Sequence, residues 1–181
     1  MSVYKINVCE LPEVAKKLKV YDRVLLTGVI YTARDAAHKR IFKLIDENKE
    51  LPFDLKNAVL YYAGPTKAPK NLPIGSCGPT TSSRMDIYTP KLMDMGVIAT
   101  IGKGERSKEV CDAVVRNNGT YLCALGGAGA LACKCIKQCD VIAFEDLGCE
   151  SVKKLVVEDF PLIVGVDCDG GNVFIKDMKG Y

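Results

Sequence analysis

The sequence lacks the features that mark several large classes of protein. No apolar run approaches the roughly 18–20 residues that a membrane-spanning helix needs. The N-terminal segment MSVYKINVCELPEVAKKLKV has no long apolar stretch followed by small residues, as a signal peptide would have. Aromatic residues make up 7% of the chain, and the net charge is only +3, with basic and acidic residues interspersed. We therefore expect a cytoplasmic protein that binds neither nucleic acid nor membranes.

Several common site motifs are also absent. The sequence contains neither a P-loop of the form GxxxxGK[ST] nor a GxGxxG dinucleotide pattern. It has no GxSxG elbow, which disfavours serine-hydrolase chemistry. His38 is the only histidine, and the chain offers no convincing set of metal ligands.

Cysteine, by contrast, is abundant, with nine residues. Because no export signal is evident, we expect the thiols to be unpaired. Cys133, Cys135 and Cys139 have the spacing C-x-C-x3-C, which matches neither a zinc finger nor a usual cluster-binding run. In a helix, Cys135 and Cys139 would share one face. We expect the cysteines to act as small apolar core residues. A metal-binding module at Cys133 and Cys135 stays open as an alternative.

Apolar strands alternate with helices along most of the chain. With 181 residues, 48% of them hydrophobic, the sequence fits a single domain over 1–181. Apolar and β-branched runs predict strands at 24–33, 58–63, 97–101, 120–125 and 141–144, with two more in 155–175 around the 170–172 turn. Helical spacing and capping residues predict helices at 34–49, before Gly96, at 107–117, at 128–138 and briefly at 145–148. This alternation predicts an α/β fold with a mixed, partly parallel sheet and flanking helices.

Three cations follow predicted strands in turns rich in glycine, threonine or serine. They are Arg34 in TARD, Arg84 in GPTTSSR and Lys103 in IGKG. Ligands of parallel sheets bind beyond the carboxyl ends of the strands, where helix N-termini already carry partial positive charge. A cation at such a helix start is favourable when an anion lies beside it. Because each guanidinium can bind a carboxylate in a bidentate manner, two arginines indicate a carboxylate ligand, with phosphate as the competitor.

Each of these residues also has an ordinary structural explanation. Lys103 taken alone fits a solvated surface lysine. His38 lies one helical turn after Arg34, so it either faces the same site or has a structural role, which is commoner for a lone histidine at a helix start. The recurrence of three cations in similar turns is what favours an anion site.

Several segments resemble the β subunit of class I fumarate hydratases, which corresponds to the C-terminal half of the single-chain enzymes. The resemblance covers roughly 22–167, and the segments occur in the same order. The pair TARDAAHKR and GPTTSSRMD is the most specific part of it. The other segments are PFDLKNAVLYYAGPT, IGKGERS, ALGGAGAL, AFEDLG and VEDFPLIV.

The resemblance implies a swivelling β/β/α domain that joins a larger α subunit. It implies that the α subunit carries three cysteine ligands of a 4Fe-4S cluster, so that the cysteines of this chain need not bind metal. The implied reaction is the reversible hydration of fumarate to (S)-malate. Self-association of the isolated chain, through surfaces that otherwise meet the α subunit, is also expected.

The resemblance also implies roles for individual residues. Three cations are expected to contact the substrate carboxylates: Arg34, Arg84 and Lys103. Thr80 is expected to be one member of an acid/base pair whose partner is an aspartate of the α subunit. Two further residues, Asp35 and His38, are expected to line or support the pocket. The L-tartrate dehydratase β subunit is a close alternative, and a non-catalytic anion-binding protein is a more distant one.

Overall fold

The computed structural model describes residues 2–124 and 129–175. Within these ranges it contains one seven-stranded sheet in the order β1-β2-β3-β4-β5-β7-β6, with an additional pairing between β2 and β7. The strands are β1 (Val3–Asn7), β2 (Arg23–Thr32), β3 (Val59–Tyr61), β4 (Ala99–Gly102), β5 (Thr120–Cys123), β6 (Ile136–Ala143) and β7 (Val152–Val166).

The sheet combines parallel and antiparallel pairings. Neighbouring strands from β1 to β5 run parallel to one another. The long β7 runs antiparallel to β2, β5 and β6. Because β7 pairs with both β2 and β5, the strands β2, β3, β4, β5 and β7 form a closed ring of pairings. The prediction of a mixed, partly parallel α/β sheet is confirmed.

Helices connect the parallel strands and cover the sheet. They are α1 (Leu11–Val14), α2 (Asp35–Asp46), α3 (Thr89–Asp94), α4 (Lys108–Arg116) and α5 (Gly129–Cys135), with 3₁₀ turns at Val8–Glu10, Ala15–Lys17, Ser82–Met85 and Glu145–Glu150. Ser107 caps α4, as predicted, because its side-chain oxygen accepts the Val110 amide hydrogen. The elements before β2 were not predicted from the sequence.

The predicted helix at 128–138 is too long, and this changes the interpretation of the cysteines. Helix α5 ends at Cys135, and β6 begins at Ile136. Cys139 therefore lies on a strand, opposite Leu155 of β7, and does not share a helix face with Cys135. The pairing of 136–143 with β7 determines this conformation, which helical spacing alone did not reveal. Residues 125–128, which include the ends of two predicted elements, lie outside the described residues.

The prediction of two strands in 155–175 is wrong. A single strand, β7, extends to Val166, and the chain then turns. The register between β2 and β7 shifts beside Glu158 and Asp159, where Asp159 has a φ of 47°. This bulge lets one long strand continue along β2. After β7, the Asp167 carboxylate accepts the amide hydrogens of Asp169 and Gly171 and so holds the turn.

Two large apolar clusters fill the space between the sheet and its helices. One lies between strands and the N-terminal elements and includes Leu11, Leu26 and Tyr61. The other packs α2 and α3 on the sheet through Ile41, Leu92 and Tyr62. In the described part of the chain, no helix is long and apolar enough to cross a membrane.

Candidate functional site

The carboxyl ends of β2, β3 and β4 meet at one edge of the sheet. Thr32 of β2 is paired with Tyr61 of β3, which is paired in turn with Ile101 of β4. Because the three strands are parallel and adjacent, the residues that follow them begin at the same edge. Arg34 and Lys103 are two of those residues.

The loop that carries Thr80 runs along this edge. The Thr80 amide donates to the Tyr62 carbonyl oxygen at 2.7 Å, and the Ser82 amide donates to the Lys103 carbonyl oxygen at 2.9 Å. Thr81 forms an isolated parallel bridge with Lys103. The main chains of Thr80 and Lys103 therefore lie beside each other, and Thr80 itself is half-buried.

A glycine at the end of β4 permits this close approach. A Cβ atom on Gly102 would lie 2.0 Å from the Ser82 hydroxyl oxygen and 3.1 Å from the Tyr62 ring. The Ser82 hydroxyl in turn lies 3.0 Å from the Tyr121 hydroxyl. Any larger residue at position 102 would have to push the Ser82 side chain aside, and Ser82 lies in the loop that carries Thr80 and Arg84.

Two arginines share one carboxylate at this edge. The Arg84 Nε donates to Asp35 Oδ1 at 2.9 Å, and the Arg34 Nη2 lies 3.8 Å from Asp35 Oδ2. Half of the Arg84 side chain is exposed, whereas the Arg34 side chain is largely covered. The structure thus brings three of the predicted site residues into direct contact: Arg34, Asp35 and Arg84.

Hydrogen-bonding capacity is left over in this cluster. The Arg34 Nε and the Asp35 Oδ2 are both buried, and neither has a hydrogen-bond partner in the described part of the chain. Buried polar groups are normally paired, so such exceptions call for an explanation. Lys103 is exposed at the same edge. The Arg34 Nε can donate to an acceptor oxygen of a ligand, whereas the Asp35 Oδ2 can only accept a hydrogen bond.

His38 supports the cluster from behind. Its side chain is completely buried, its ring stacks on Tyr88 at 5.2 Å between centroids, and its Nδ1 lies 2.9 Å from the Arg34 carbonyl oxygen. Since a carbonyl oxygen only accepts, Nδ1 carries the proton. Burial lowers the pKa of His38 to about 4, so the ring is neutral at pH 7. Of the two roles predicted for His38, this placement favours support over lining the pocket.

The sequence interpretation missed a buried arginine below the same loops. Arg106 is 4% exposed, and its guanidinium lies near the rings of Tyr62 and Tyr121. Its three nitrogens donate to the side chains of Asp86, Thr89 and Thr100. Asp86 also accepts the Ser107 amide hydrogen at 2.6 Å. This network joins the SSRMD segment to the GKGERS loop, and the presence of Arg106 inside a matched motif was the available signal.

Glu150 is the second residue that the sequence interpretation missed. Its carboxylate lies 3.3 Å from the Arg34 Nη2 and accepts the Ala36 amide hydrogen. In sequence it follows the AFEDLG segment, but nothing local connects it with Arg34. The chain folds it onto the start of α2.

The cysteines do not gather into a metal site in the described ranges. The buried Cys133 Sγ lies 3.1 Å from the Ile74 carbonyl oxygen, whereas Cys135 lies near the Asp159 carbonyl oxygen. Burial raises the pKa of Cys77 to about 12, so this thiol is protonated at pH 7. Among residues 2–124 and 129–175, no group of three or more His, Cys, Asp or Glu side chains could hold a metal ion. These residues do not fit an iron–sulfur cluster.

Comparison with known proteins identifies the family. A family model described as the fumarase C-terminus matches residues 2–177. The chain belongs to this fumarase C-terminal family. The resemblance predicted from the sequence motifs is confirmed.

Three relatives illustrate the range of this family. The anaerobic class I fumarate hydratase of Escherichia coli is 42% identical over 93% of this chain and 31% of its own length. Fumarate hydratase 2 of Leishmania major is 42% identical over 86% of this chain and 28% of its own length. A Methanocaldococcus jannaschii protein named as an L(+)-tartrate dehydratase β subunit is 40% identical over 91% of this chain and 87% of its own length. The chain thus spans about a third of the fumarate hydratases but most of the tartrate dehydratase subunit.

Proposed function

We propose that this chain is the β subunit of a hydro-lyase that catalyses the reversible hydration of fumarate to (S)-malate. One observation carries the proposal: two arginines meet at one carboxylate on the sheet edge where Lys103 and Thr80 also lie. A small dicarboxylate needs cations at two separate groups, and this edge offers three. Membership of the fumarase C-terminal family supports the same reaction.

The three cations are proposed to bind and orient the diacid. Arg34 and Arg84 each present a planar guanidinium that can donate two parallel hydrogen bonds to a carboxylate. Lys103 supplies a compact charge on the neighbouring loop. As a proton leaves the carbon next to a carboxylate, negative charge grows on that carboxylate, and fixed cations stabilise it. Holding the substrate in one orientation lowers the barrier further.

Thr80 is proposed to hold the proton that moves at the substrate carbon. An ordinary hydroxyl is a poor base, so it needs a neighbouring cation or a relay. We propose Lys103 as this cation, because its main chain pairs with that of Thr81 and its side chain therefore starts beside the Thr80 loop. The second acid/base group is proposed to be an aspartate of the α subunit.

The chain is proposed to work only as part of a larger assembly. The described residues do not fit a 4Fe-4S cluster, so we propose that the cluster and its cysteine ligands belong to the α subunit. The relatives named as fumarate hydratases are about three times as long as the matched region, which leaves room for such a partner domain. We further propose that residues 1–181 form one swivelling β/β/α domain that closes on the α subunit, and that the isolated chain self-associates.

The decisive experiment is co-expression with the candidate α chain, followed by an anaerobic fumarate hydration assay. Replacing Arg84 or Lys103 by Met should lower turnover at least about 100-fold, because charge stabilisation in the transition state is lost. The free energy of urea unfolding should fall by no more than about 1 kcal/mol, since both side chains are exposed. Normal kinetics in these variants would refute the proposed roles.

The L-tartrate dehydratase β subunit is the second candidate function. It is favoured by the relative with that name, because the match covers 87% of that relative's length. Tartrate carries one hydroxyl group more than malate, so the comparison of turnover with fumarate, mesaconate and tartrate separates the two. If no cluster-bearing partner co-purifies from the native host, the non-catalytic anion-binding alternative replaces both.

A further inference from the structure

Glu150 connects Arg34 to the first turn of α2. Arg34 is the residue before the helix, with extended backbone dihedrals, and its side chain cannot accept a hydrogen bond from the helix start. The Glu150 Oε2 accepts the Ala36 amide hydrogen at 3.0 Å instead. Its other oxygen, Oε1, lies 3.3 Å from the Arg34 Nη2. One carboxylate therefore caps the helix and holds the guanidinium.

The opposite side of the Arg34 guanidinium is bounded by Gly64. A Cβ atom on Gly64 would lie 2.7 Å from the Arg34 Nη1 and 3.4 Å from the Cys149 carbonyl oxygen. Gly64 thus lies close both to the Arg34 side chain and to the Cys149 main chain, and a side chain at position 64 would collide with the guanidinium. With Glu150 at Nη2 and Gly64 beside Nη1, the plane of the guanidinium has little freedom to turn.

The segment that carries Glu150 is itself firmly held. The buried Lys153 donates from Nζ to the carbonyl oxygens of Gly148 and Cys149 and to the Ser151 hydroxyl. Glu150 therefore presents its carboxylate from a fixed frame, as a positioning group needs to do.

We propose that Glu150 is a positioning residue that orients Arg34 for the substrate carboxylate, an inference that rests on the proposed hydro-lyase function. Asp35 pairs with both Arg34 and Arg84, whereas Glu150 pairs with Arg34. Without the Glu150 charge, the Arg34 guanidinium turns away from the direction in which the diacid arrives.

The test uses Glu150→Gln in the assembled enzyme. Glutamine keeps an acceptor oxygen for the Ala36 amide but removes the charge that pairs with Arg34. We expect KM for fumarate to rise about tenfold with a smaller fall in kcat. Asp146→Asn is the matched control, because Asp146 lies in the same segment but pairs with Arg40 of α2 and not with Arg34. It should leave both constants unchanged.

An Arg34→Lys background shows whether Glu150 acts through Arg34. If it does, Glu150→Gln adds little to the loss caused by Arg34→Lys, since the two changes remove the same interaction. A full tenfold effect in both backgrounds, or unchanged KM in the single variant, would overturn the proposal. A purely structural role would instead lower the unfolding midpoint without altering the ratio of KM to kcat.

A second readout separates this inference from the proposed function. In the isotopically labelled full chain, NMR measures how fast the Arg34 guanidinium rotates about its Nε–Cζ bond. We expect restricted rotation in the wild type, several-fold faster rotation in Glu150→Gln, and no change in Asp146→Asn. If the wild type turns over no diacid, the proposed function fails while this result still decides the positioning role. Unchanged rotation in Glu150→Gln refutes that role.

Discussion

The arginines near this edge of the sheet form two groups, which differ in burial and in hydrogen bonding. The first group is Arg106 alone, and the second is the pair Arg34 and Arg84. Arg106 is buried, and each of its nitrogens donates to a side chain. Arg34 and Arg84 lie at the sheet edge, share Asp35, and leave the buried Arg34 Nε without a partner in the described part of the chain. Every nitrogen of Arg106 thus has a partner, whereas one nitrogen of the second group has none among the described residues.

This difference separates charge that is fully bonded within the protein from charge that keeps an unpaired donor. A buried ion pair is stable only when its hydrogen bonds are complete, and its removal leaves an uncompensated charge behind. The Arg106–Asp86 pair meets this condition and joins the two loops that carry Arg84 and Lys103. The positions of the Arg34 and Arg84 side chains depend on the loops that the Arg106–Asp86 pair joins, but neither side chain belongs to that pair. Variants in the two groups should therefore fail in different ways.

The largest effect is expected from Arg106→Met. It leaves the Asp86 carboxylate buried without its cation, so the free energy of unfolding should fall by about 3–5 kcal/mol. Arg84→Met is the comparison, and its half-exposed ion pair should contribute no more than about 1 kcal/mol to stability. Urea unfolding of both variants measures this. Equal losses would show that the two groups do not differ as described.

The pH dependence of stability tests whether His38, which is hydrogen-bonded to the Arg34 carbonyl oxygen, has a structural role as Arg106 does. Its folded pKa of about 4 lies below its ordinary value of 6.5, because burial disfavours the charged ring. The stability it contributes is therefore complete above pH 6.5 and is lost as the pH falls from 6.5 to 4.

Compared with His38→Gln, the wild type should lose about 3 kcal/mol more stability between pH 7 and pH 4. Urea unfolding across this range measures the difference, and the carboxylates common to both proteins cancel in it. Parallel pH profiles for the two proteins would contradict the burial of a neutral histidine.

The smallest of these effects is expected at Gly102, where the end of β4 contacts Ser82 of the loop that carries Arg84. Gly102→Ala would push the Ser82 hydroxyl, and overpacking of this kind costs about 1–3 kcal/mol. In a Ser82→Ala background the added methyl group has more room, so the cost should fall below about 1 kcal/mol. A double-mutant cycle on unfolding free energies measures this coupling. Additive costs would mean that the contact does not position the loop.

Local patterns made much of the fold predictable. The strand at 24–33, the helix at 34–49 and the Ser107 cap depend on short-range periodicity and hydrogen bonds, and all three are confirmed within a few residues. The partly parallel sheet followed from the alternation of these elements. The meeting of Arg34 and Arg84 followed from the rule that parallel strands end at one edge.

Features that depend on distant parts of the chain were not predictable in this way. The segment at 136–143 becomes a strand because β7 lies beside it, and β7 stays one strand because its bulge keeps it on β2. Arg106 and Glu150 were missed for a similar reason. Their partners, Asp86 and Arg34, lie in other loops, and no local spacing shows which loops pack together. The roles proposed for the site residues stay predictions: Arg34, Asp35, His38, Thr80, Arg84 and Lys103.

The central claim is that the carboxylates of a small diacid bind between these cations. The most direct test is a crystal structure of the assembled enzyme with succinate, an unreactive diacid. We predict that succinate oxygens lie within hydrogen-bond distance of the Arg34 and Arg84 guanidinium groups and of the Lys103 ammonium group. A diacid bound in the assembly with none of these three groups in contact would contradict the account.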